Sequence, residues 1–277
     1  MSKGKTIKSQ ITSIAIGGFD GMHLGHKQLF EQLDQNGAIV VILTGYANLT
    51  PSNTRQNYTN FPLFYYPLEN IKHLEAREFI NLLKEEFPKL SRIVVGYDFK
   101  FGNKAAYTVD DLKNLFDKDV VIVDEFLYKN ISVHSRVIRE YLRNGKIELA
   151  NEMLGHNYTI QGLQIQGQGL GKKQFVPTIN IEVLDQYLIP SEGIYITKTI
   201  IHSFKYDSIS FVGHRKTTDN KFAVETHILK DDFSIIDSKN LSIAFLSKLR
   251  ENQKYEHYED LKIQILKDIE LAKKYFS

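Results

Sequence analysis

Residues 17–26 read Gly17-Gly18-Phe19-Asp20-Gly21-Met22-His23-Leu24-Gly25-His26, between an apolar run at 11–16 and a helical pattern carrying Leu29, Phe30 and Leu33. Glycines that close a strand let the backbone approach a phosphate, and a helix opening just beyond offers aligned N–H donors. His23 and His26, three residues apart around Gly25, can point two imidazoles at one anion. Such donors stabilise charge that builds on a phosphoryl group during displacement. Taken alone, a His-x-x-His pair is more often two surface or filler residues. A zinc pair would need third and fourth ligands that no nearby spacing supplies. The strand–turn–helix setting turns the reading toward phosphate.

Outward from this turn, the first half alternates strands and helices. Apolar runs at 38–43, 92–96 and 120–124 predict strands, and residues 75–87 have helical periodicity through Phe79, Leu82 and Leu83. That alternation implies a parallel sheet with crossover helices. From 135 to 155 the pattern is helical, with Gly145 and Gly155 where helices would stop. Beyond 155 the texture changes to strand-like segments at 158–166, 178–184, 193–202, 206–212, 221–229 and 240–245, separated by turn residues. These predict a compact antiparallel sheet or barrel. Residues 258–276 predict an amphipathic helix with Leu261, Ile265, Ile269 and Ala272 on one side. The natural domain cut is near 155–158, giving domains 1–155 and 156–277.

The chain has 277 residues, 42% of them hydrophobic and 25% charged, which excludes a disordered chain. Its 35 basic and 33 acidic residues leave a formal charge of +2, so no bulk electrostatic case exists for nucleic acid or membrane partners. Cysteine is absent, which excludes disulfides, thiolate nucleophiles and Cys-ligated metal. The opening stretch has no signal-like apolar core, and the longest apolar run is far short of a span of about 20 residues. A cytoplasmic location is the expectation.

The order of motifs resembles the bifunctional riboflavin kinase/FAD synthetase family of bacteria. Residues 17–26 are similar to its GxFDGxHxGH form of the HxGH nucleotidyltransferase signature. The resemblance implies that His23 and His26 act on ATP phosphates, with Gly18, Phe19, Asp20 and Gly25 beside them. It also implies direct attack on the α-phosphorus, with pyrophosphate leaving and no covalent enzyme intermediate. Residues 94–102, Val-Val-Gly-Tyr-Asp-Phe-Lys-Phe-Gly, are similar to the family's VGxDFxFG segment, which places Asp98, Phe99 and Phe101 on the flavin side. Ser135-Arg136-Val137-Ile138-Arg139 falls where the family has SSTxIR, implying phosphate contacts from Ser135 and Arg139. Here His134 and Arg136 replace a serine and a threonine. The family's acid-Pro-His-Pro segment is replaced by Gly45-Tyr46-Ala47-Asn48.

In the second half, residues 162–171 carry a run of glycines that is not followed by a helix, so it is no dinucleotide fingerprint. Together with residues 172–181 it resembles the riboflavin kinase pattern GxxxGxxxGFPTAN, although Phe175 and Val176 stand before Pro177-Thr178. Gly167, Gly169, Gly171 and Lys172 would then line a phosphate loop. Thr178 and Asn180 would offer neutral oxygens to Mg2+. By the same resemblance Glu225 accepts the riboflavin hydroxyl proton, and Arg250, in an FLxxLR-like segment, approaches the flavin phosphate. The implied fold is an α/β Rossmann-like nucleotidyltransferase domain followed by a mainly antiparallel β-barrel kinase domain with a C-terminal helix. The implied activity is ATP-dependent phosphorylation of riboflavin to FMN, then adenylylation of FMN to FAD. The small-molecule partners would be riboflavin, FMN and ATP. Two other readings stay open: a riboflavin kinase with a degenerate first domain, and a flavin or nucleotide sensor without turnover.

Overall fold

The computed structural model describes residues 8–45, 47–166, 176–184, 186–230 and 239–277. The chain divides into two compact units, Met1–Ser135 and Arg136–Ser277.

In the first unit, β1 (Ser13–Gly17), β2 (Gly37–Leu43), β3 (Leu63–Pro67), β4 (Arg92–Gly96) and β5 (Asp119–Val123) form one sheet in the order β3-β2-β1-β4-β5. Every pairing in it is parallel. Alternation along β1 sends Ile14 and Ile16 to one face and Ala15 to the other. On the first face Phe79, Ile80 and Leu83 of α2 (Ala76–Glu86) and Leu112 of α3 (Val109–Leu115) close the core. On the other face lie Leu29 and Phe30 of α1 (Leu24–Phe30), with Phe19 and Met22. Helices on both faces are the doubly wound arrangement expected. Since β2 lies on one side of β1 and β4 on the other, the chain reverses its winding at β1. The glycine–histidine turn at the end of β1 therefore sits at the topological switch point, where such sheets bind ligands.

Besides its 3-10 segments, three features of this unit among the described residues were not anticipated from the sequence. The edge strand β3 is aromatic and bounded by Pro62 and Pro67, which suits an edge but masks the apolar alternation. The short helix α3 opens with a capping box between Thr108 and Asp111. The third is a two-residue ladder of β6 (Leu127–Tyr128) with β7 (Ile131–Ser132).

The unit boundary falls after the first residue of α4 (Ser135–Arg143); the second unit holds the rest of that helix and α5 (Ile147–Leu154), then builds a closed antiparallel barrel. Its strands are β8 (Thr159–Ile165), β9 (Ile179–Val183), β10 (Gly193–Ile201), β11 (Phe204–His214), β12 (Phe222–Ile228) and β13 (Asn240–Arg250), in the order β10-β11-β12-β9-β8-β13. Compactness divides the chain before these helices, whereas the change from helical to strand-like sequence comes after them. The physical reason is that α5 is bound to the barrel: Asn151 Nδ2 donates to the Phe245 carbonyl at 2.8 Å, and Asn151 Oδ1 accepts from the Tyr158 amide at 2.7 Å.

The barrel interior holds five fully buried hydroxyls joined in a ring: Thr197 to Ser208, Ser208 to Thr199, Thr199 to Thr226, Thr226 to Ser210, and Ser210 back to Thr197. All five contacts are 2.8–2.9 Å. A closed ring lets every hydroxyl donate once and accept once, so burial leaves none unsatisfied. Replacing Thr199 with the near-isosteric valine is expected to strand partners at Ser208 and Thr226 and cost about 1–3 kcal/mol. Urea unfolding followed in the full chain measures it, and an unchanged midpoint would show that the ring does not stabilise the barrel.

Helix α6 (Tyr258–Phe276) packs outside the barrel, with Ile269 and Ala272 against Ile196 and Ile209. Asp268 on the same helix is buried, and Arg250 grips it with Nε at 3.0 Å from both oxygens and Nη2 at 2.7 Å. None of the helices among the described residues is long and apolar enough to cross a membrane.

Candidate functional site

The turn after β1 is built around two left-handed non-glycine residues, Phe19 (φ 48°) and Met22 (φ 46°), with Gly21 at φ 90° between them. Such backbone is sterically costly for an L-residue with a side chain and persists only where surroundings enforce it. The enforcing group is Asp20. Its carboxylate accepts the amides of Asn48 (3.2 Å), Leu49 (3.0 Å) and Thr50 (2.9 Å), and its carbonyl accepts the Ser135 hydroxyl at 2.7 Å. Asp20 thus braces the turn by bonding the 48–50 backbone with its carboxylate and Ser135 with its carbonyl. Gly18 has open space, since an added Cβ would meet only the Ile42 carbonyl at 3.9 Å. Gly25 has none: a Cβ there would come within 3.3 Å of the His23 ring and of the Val133 carbonyl.

His23 caps α1, its Nδ1 accepting the His26 amide at 3.3 Å. With Nδ1 accepting that bond, any ring proton of His23 is carried on Nε2. The His23 and His26 rings stack at 3.4 Å between centroids. Burial holds the His26 imidazole well below its ordinary pKa, and the nearby His23, Arg55 and His134 push in the same direction. At neutral pH His26 is therefore an uncharged hydrogen-bonding ring.

This depression has a consequence for stability. With a folded-state pKa below the unfolded value of 6.5, His26 leaves stability undiminished above pH 6.5 and removes it as pH falls below. After correction for the intrinsic exchange rate, amide protection across 17–30 should fall between pH 7 and 5.5, and His26→Gln should flatten that dependence. Equal acid sensitivity in the variant would exclude His26 as the cause.

The other expected residues of this region are placed differently. Asp98 is exposed and Phe99 half-buried, whereas Phe101 is a core residue packed with Phe79, Phe99 and Tyr107. Phe101 is buried in the core cluster on the α2 side of the sheet, joined to Tyr107 by an isolated bridge. Arg139 lies on α4, in the second unit.

In the second unit a cleft of about 490 Å³ is lined by barrel strands and by α6, within the size range of small-molecule sites. Thr178, Asn180, Glu225, Arg215, His227 and Arg250 line it. Antiparallel pairing sets Glu225 directly opposite Asn180, and the Thr178 hydroxyl bonds the Glu225 carboxylate. Burial pushes the Glu225 carboxyl above its ordinary pKa, against the opposing pull of the Arg215 guanidinium, whose Nη1 stands 3.3 Å away. Arg215 also holds Asp219 at 3.0 Å. Arg250 stands on the cleft wall with its guanidinium engaged by Asp268. Gly167, Gly169, Gly171 and Lys172 lie outside the described residues. Gly162, by contrast, sits in β8, where an added Cβ would strike the Ile181 side chain at 2.3 Å.

Three residues close to Glu225 had no assigned role in the sequence reading: His227 and Arg215, which line the cleft, and Asp219, which Arg215 holds. His227 shares a face with Glu225 by the two-residue period of a strand, a signal that was present. Burial lowers its pKa, and its Nδ1 donates to the Pro177 carbonyl at 2.7 Å. Arg215 and Asp219 carry no such signal, because their approach to Glu225 depends on β11–β12 register and the turn between them.

A phosphate-type turn at the switch point of a doubly wound sheet, in a chain that also carries a barrel with a half-buried carboxylate in its cleft, defines a two-unit protein of the nucleotide-dependent transferase class. Comparison with known proteins narrows the class. A family model described as riboflavin kinase matches residues 154–276, and one described as FAD synthetase matches residues 5–44. A bifunctional riboflavin kinase/FMN adenylyltransferase from Haemophilus influenzae is 30% identical, over 96% of this chain and 94% of the relative. One of the same description from Buchnera aphidicola (of Schizaphis graminum) is 29% identical, again over 96% and 94%. A crystal structure described as a macrolide-efflux protein from Streptococcus pneumoniae superposes with a TM-score of 0.83 at 25% identity, covering 95% of this chain and 94% of that one. The chain belongs to the bifunctional riboflavin kinase/FMN adenylyltransferase family.

Proposed function

We propose that this enzyme makes FMN and then FAD, with phosphoryl transfer carried out by residues 156–277 and adenylyl transfer by residues 1–155. The observation that carries the first step is the cleft in which Glu225, Thr178 and Asn180 converge. The riboflavin 5′-hydroxyl attacks the γ-phosphorus of ATP, Glu225 accepts the hydroxyl proton, and ADP leaves. A carboxylate with a raised pKa is a better base for an alcohol than an ordinary one, provided it is ionised at working pH. Arg215 favours that ionised form.

Among the described residues no group of three or more His, Cys, Asp or Glu side chains could hold a metal by itself. Two neutral oxygens from Thr178 and Asn180 beside one carboxylate suit a divalent ion held chiefly by nucleotide phosphates, as Mg2+ prefers. When bound, that ion neutralises triphosphate charge.

For the second step, an FMN phosphate oxygen attacks the α-phosphorus of a second ATP and pyrophosphate leaves. The chain's contribution is positional and electrostatic. The turn at 17–22 receives the triphosphate, and the uncharged His26 ring acts with His23 as a hydrogen-bonding group rather than as a cation.

Incubation with riboflavin and Mg-ATP, followed by flavin chromatography, tests both steps. The expected course is FMN followed by FAD. FMN without FAD would remove the adenylylation step, and no FMN would remove both.

A further inference from the structure

Arg55 is the largest fully buried side chain among the described residues, only 1% exposed. Its position on the 3-10 segment Ser52–Tyr58 gives no sequence signal of importance. Burying a guanidinium is expensive unless its charge and N–H groups are used. The structure uses them on the proposed phosphate turn. Arg55 Nε donates to the Phe19 carbonyl at 3.3 Å, and its charge lies close enough to act on Asp20, Tyr65 and His26.

The same stretch grips the turn from the other side. The amides of Asn48, Leu49 and Thr50 hold the Asp20 carboxylate, and the Thr50 hydroxyl accepts the Gly21 amide at 2.8 Å. Residues 48–55 thus bond three successive residues, Phe19, Asp20 and Gly21. Two of these have left-handed backbone, Phe19 and Gly21. The Asp20 contacts set the height of the turn, and the Arg55 bond fixes the orientation of the peptide that precedes Asp20. Displacement of Phe19 would not stay local. Its ring meets the His26 ring edge-on at 5.2 Å, and His26 lies flat on His23.

We propose that Arg55 is a positioning residue for adenylyl transfer, which holds the Phe19 carbonyl from behind and so sets the left-handed turn and the His26 ring for the triphosphate of ATP. This rests on the reading of residues 17–26 given above. Arg55 acts through the turn and not on the substrate. An arginine is suited because Nε can bond the carbonyl while the rest of the fork stays available to other groups. A lysine offers only a point charge on a flexible stem.

The test uses the full chain carrying Arg55→Met or Arg55→Lys, with FMN formation by the barrel as the internal measure of folded, active protein. FAD formation from supplied FMN is measured against ATP concentration. Loss of the Nε bond in either variant is expected to lower kcat/KM for ATP in FAD formation by about 10–100-fold, the scale of a misplaced substrate-positioning group. FMN formation is expected to stay within about twofold of the parent.

A second readout separates positioning from simple support of the fold. His26 faces His23, Arg55 and His134 as charged or titratable neighbours. Removing the Arg55 charge should move its titration, followed by histidine-selective NMR, to higher pH in Arg55→Met but not in Arg55→Lys. FAD formation by Arg55→Met that matches the parent, with the His26 titration unmoved, would overturn the proposal. If Arg55→Met does not fold, Arg55→Lys decides: unchanged kcat/KM overturns the proposal and a loss supports it. A parent chain that makes no FAD would instead overturn the reading of residues 17–26 itself.

Discussion

Glu225→Gln is expected to reduce FMN formation by about two to four orders of magnitude, the usual contribution of a positioned general base. The amide keeps the size of the side chain and can still accept from Thr178 and Arg215, but it cannot take a proton. FAD formation from supplied FMN should continue, because that step is assigned to the other unit. The variant should be as stable as the parent or more so at neutral pH. The sign follows from burial: the folded-state pKa of Glu225 is raised above 4.5. Its favourable contribution is present below the unfolded value and is lost as pH rises through the folded one. At neutral pH the ionised carboxylate is thus a burden on the fold, retained for its chemistry. Kinase turnover should in turn fall as pH drops through that raised pKa, since only the ionised form accepts a proton. Undiminished FMN formation in Glu225→Gln, measured by flavin chromatography, would remove Glu225 as the base.

His26→Ala is expected to lower FAD formation by about 10²–10³-fold, the scale set by deleting one preorganised donor to developing charge. FMN should accumulate in its place. Because the ring is neutral at working pH, the parent's FAD formation should show no fall between pH 6.5 and 8 from loss of a histidine charge. A decline across that window that disappears in the His26→Ala background would mean that the ring acts as a cation after all. His23→Ala should differ in kind. It removes a ring and also the N-cap bond at the His26 amide, so the start of α1 should loosen as well.

The readable parts of the fold were those whose signal is local. The runs at 38–43 and 93–95 are apolar throughout because both faces of a doubly wound sheet are covered. The C-terminal helix was legible from Ile265, Ile269 and Ala272, which meet the barrel as their spacing required. Strand β3 was not, because its Phe64, Tyr65 and Tyr66 carry aromatic bulk between prolines and show no alternation of polarity. The turn of residues 17–26 was equally local, since glycines and histidines at fixed spacing announce it.

What residue order alone determined was the sequence of motifs, the two-part architecture, and the turn and carboxylate on which chemistry would centre. Those follow from short-range periodicity and from residue types whose chemistry is intrinsic. Tertiary structure decided which groups surround them. Arg55 reached Phe19 from a segment with no motif, Arg215 reached Glu225 through strand register, and Arg250 found Asp268 on a helix 18 residues farther along. It also placed Phe101 in the core and turned His26 into a neutral ring. Burial and long-range pairing set charge state and orientation, and neither is a property of the chain until it folds.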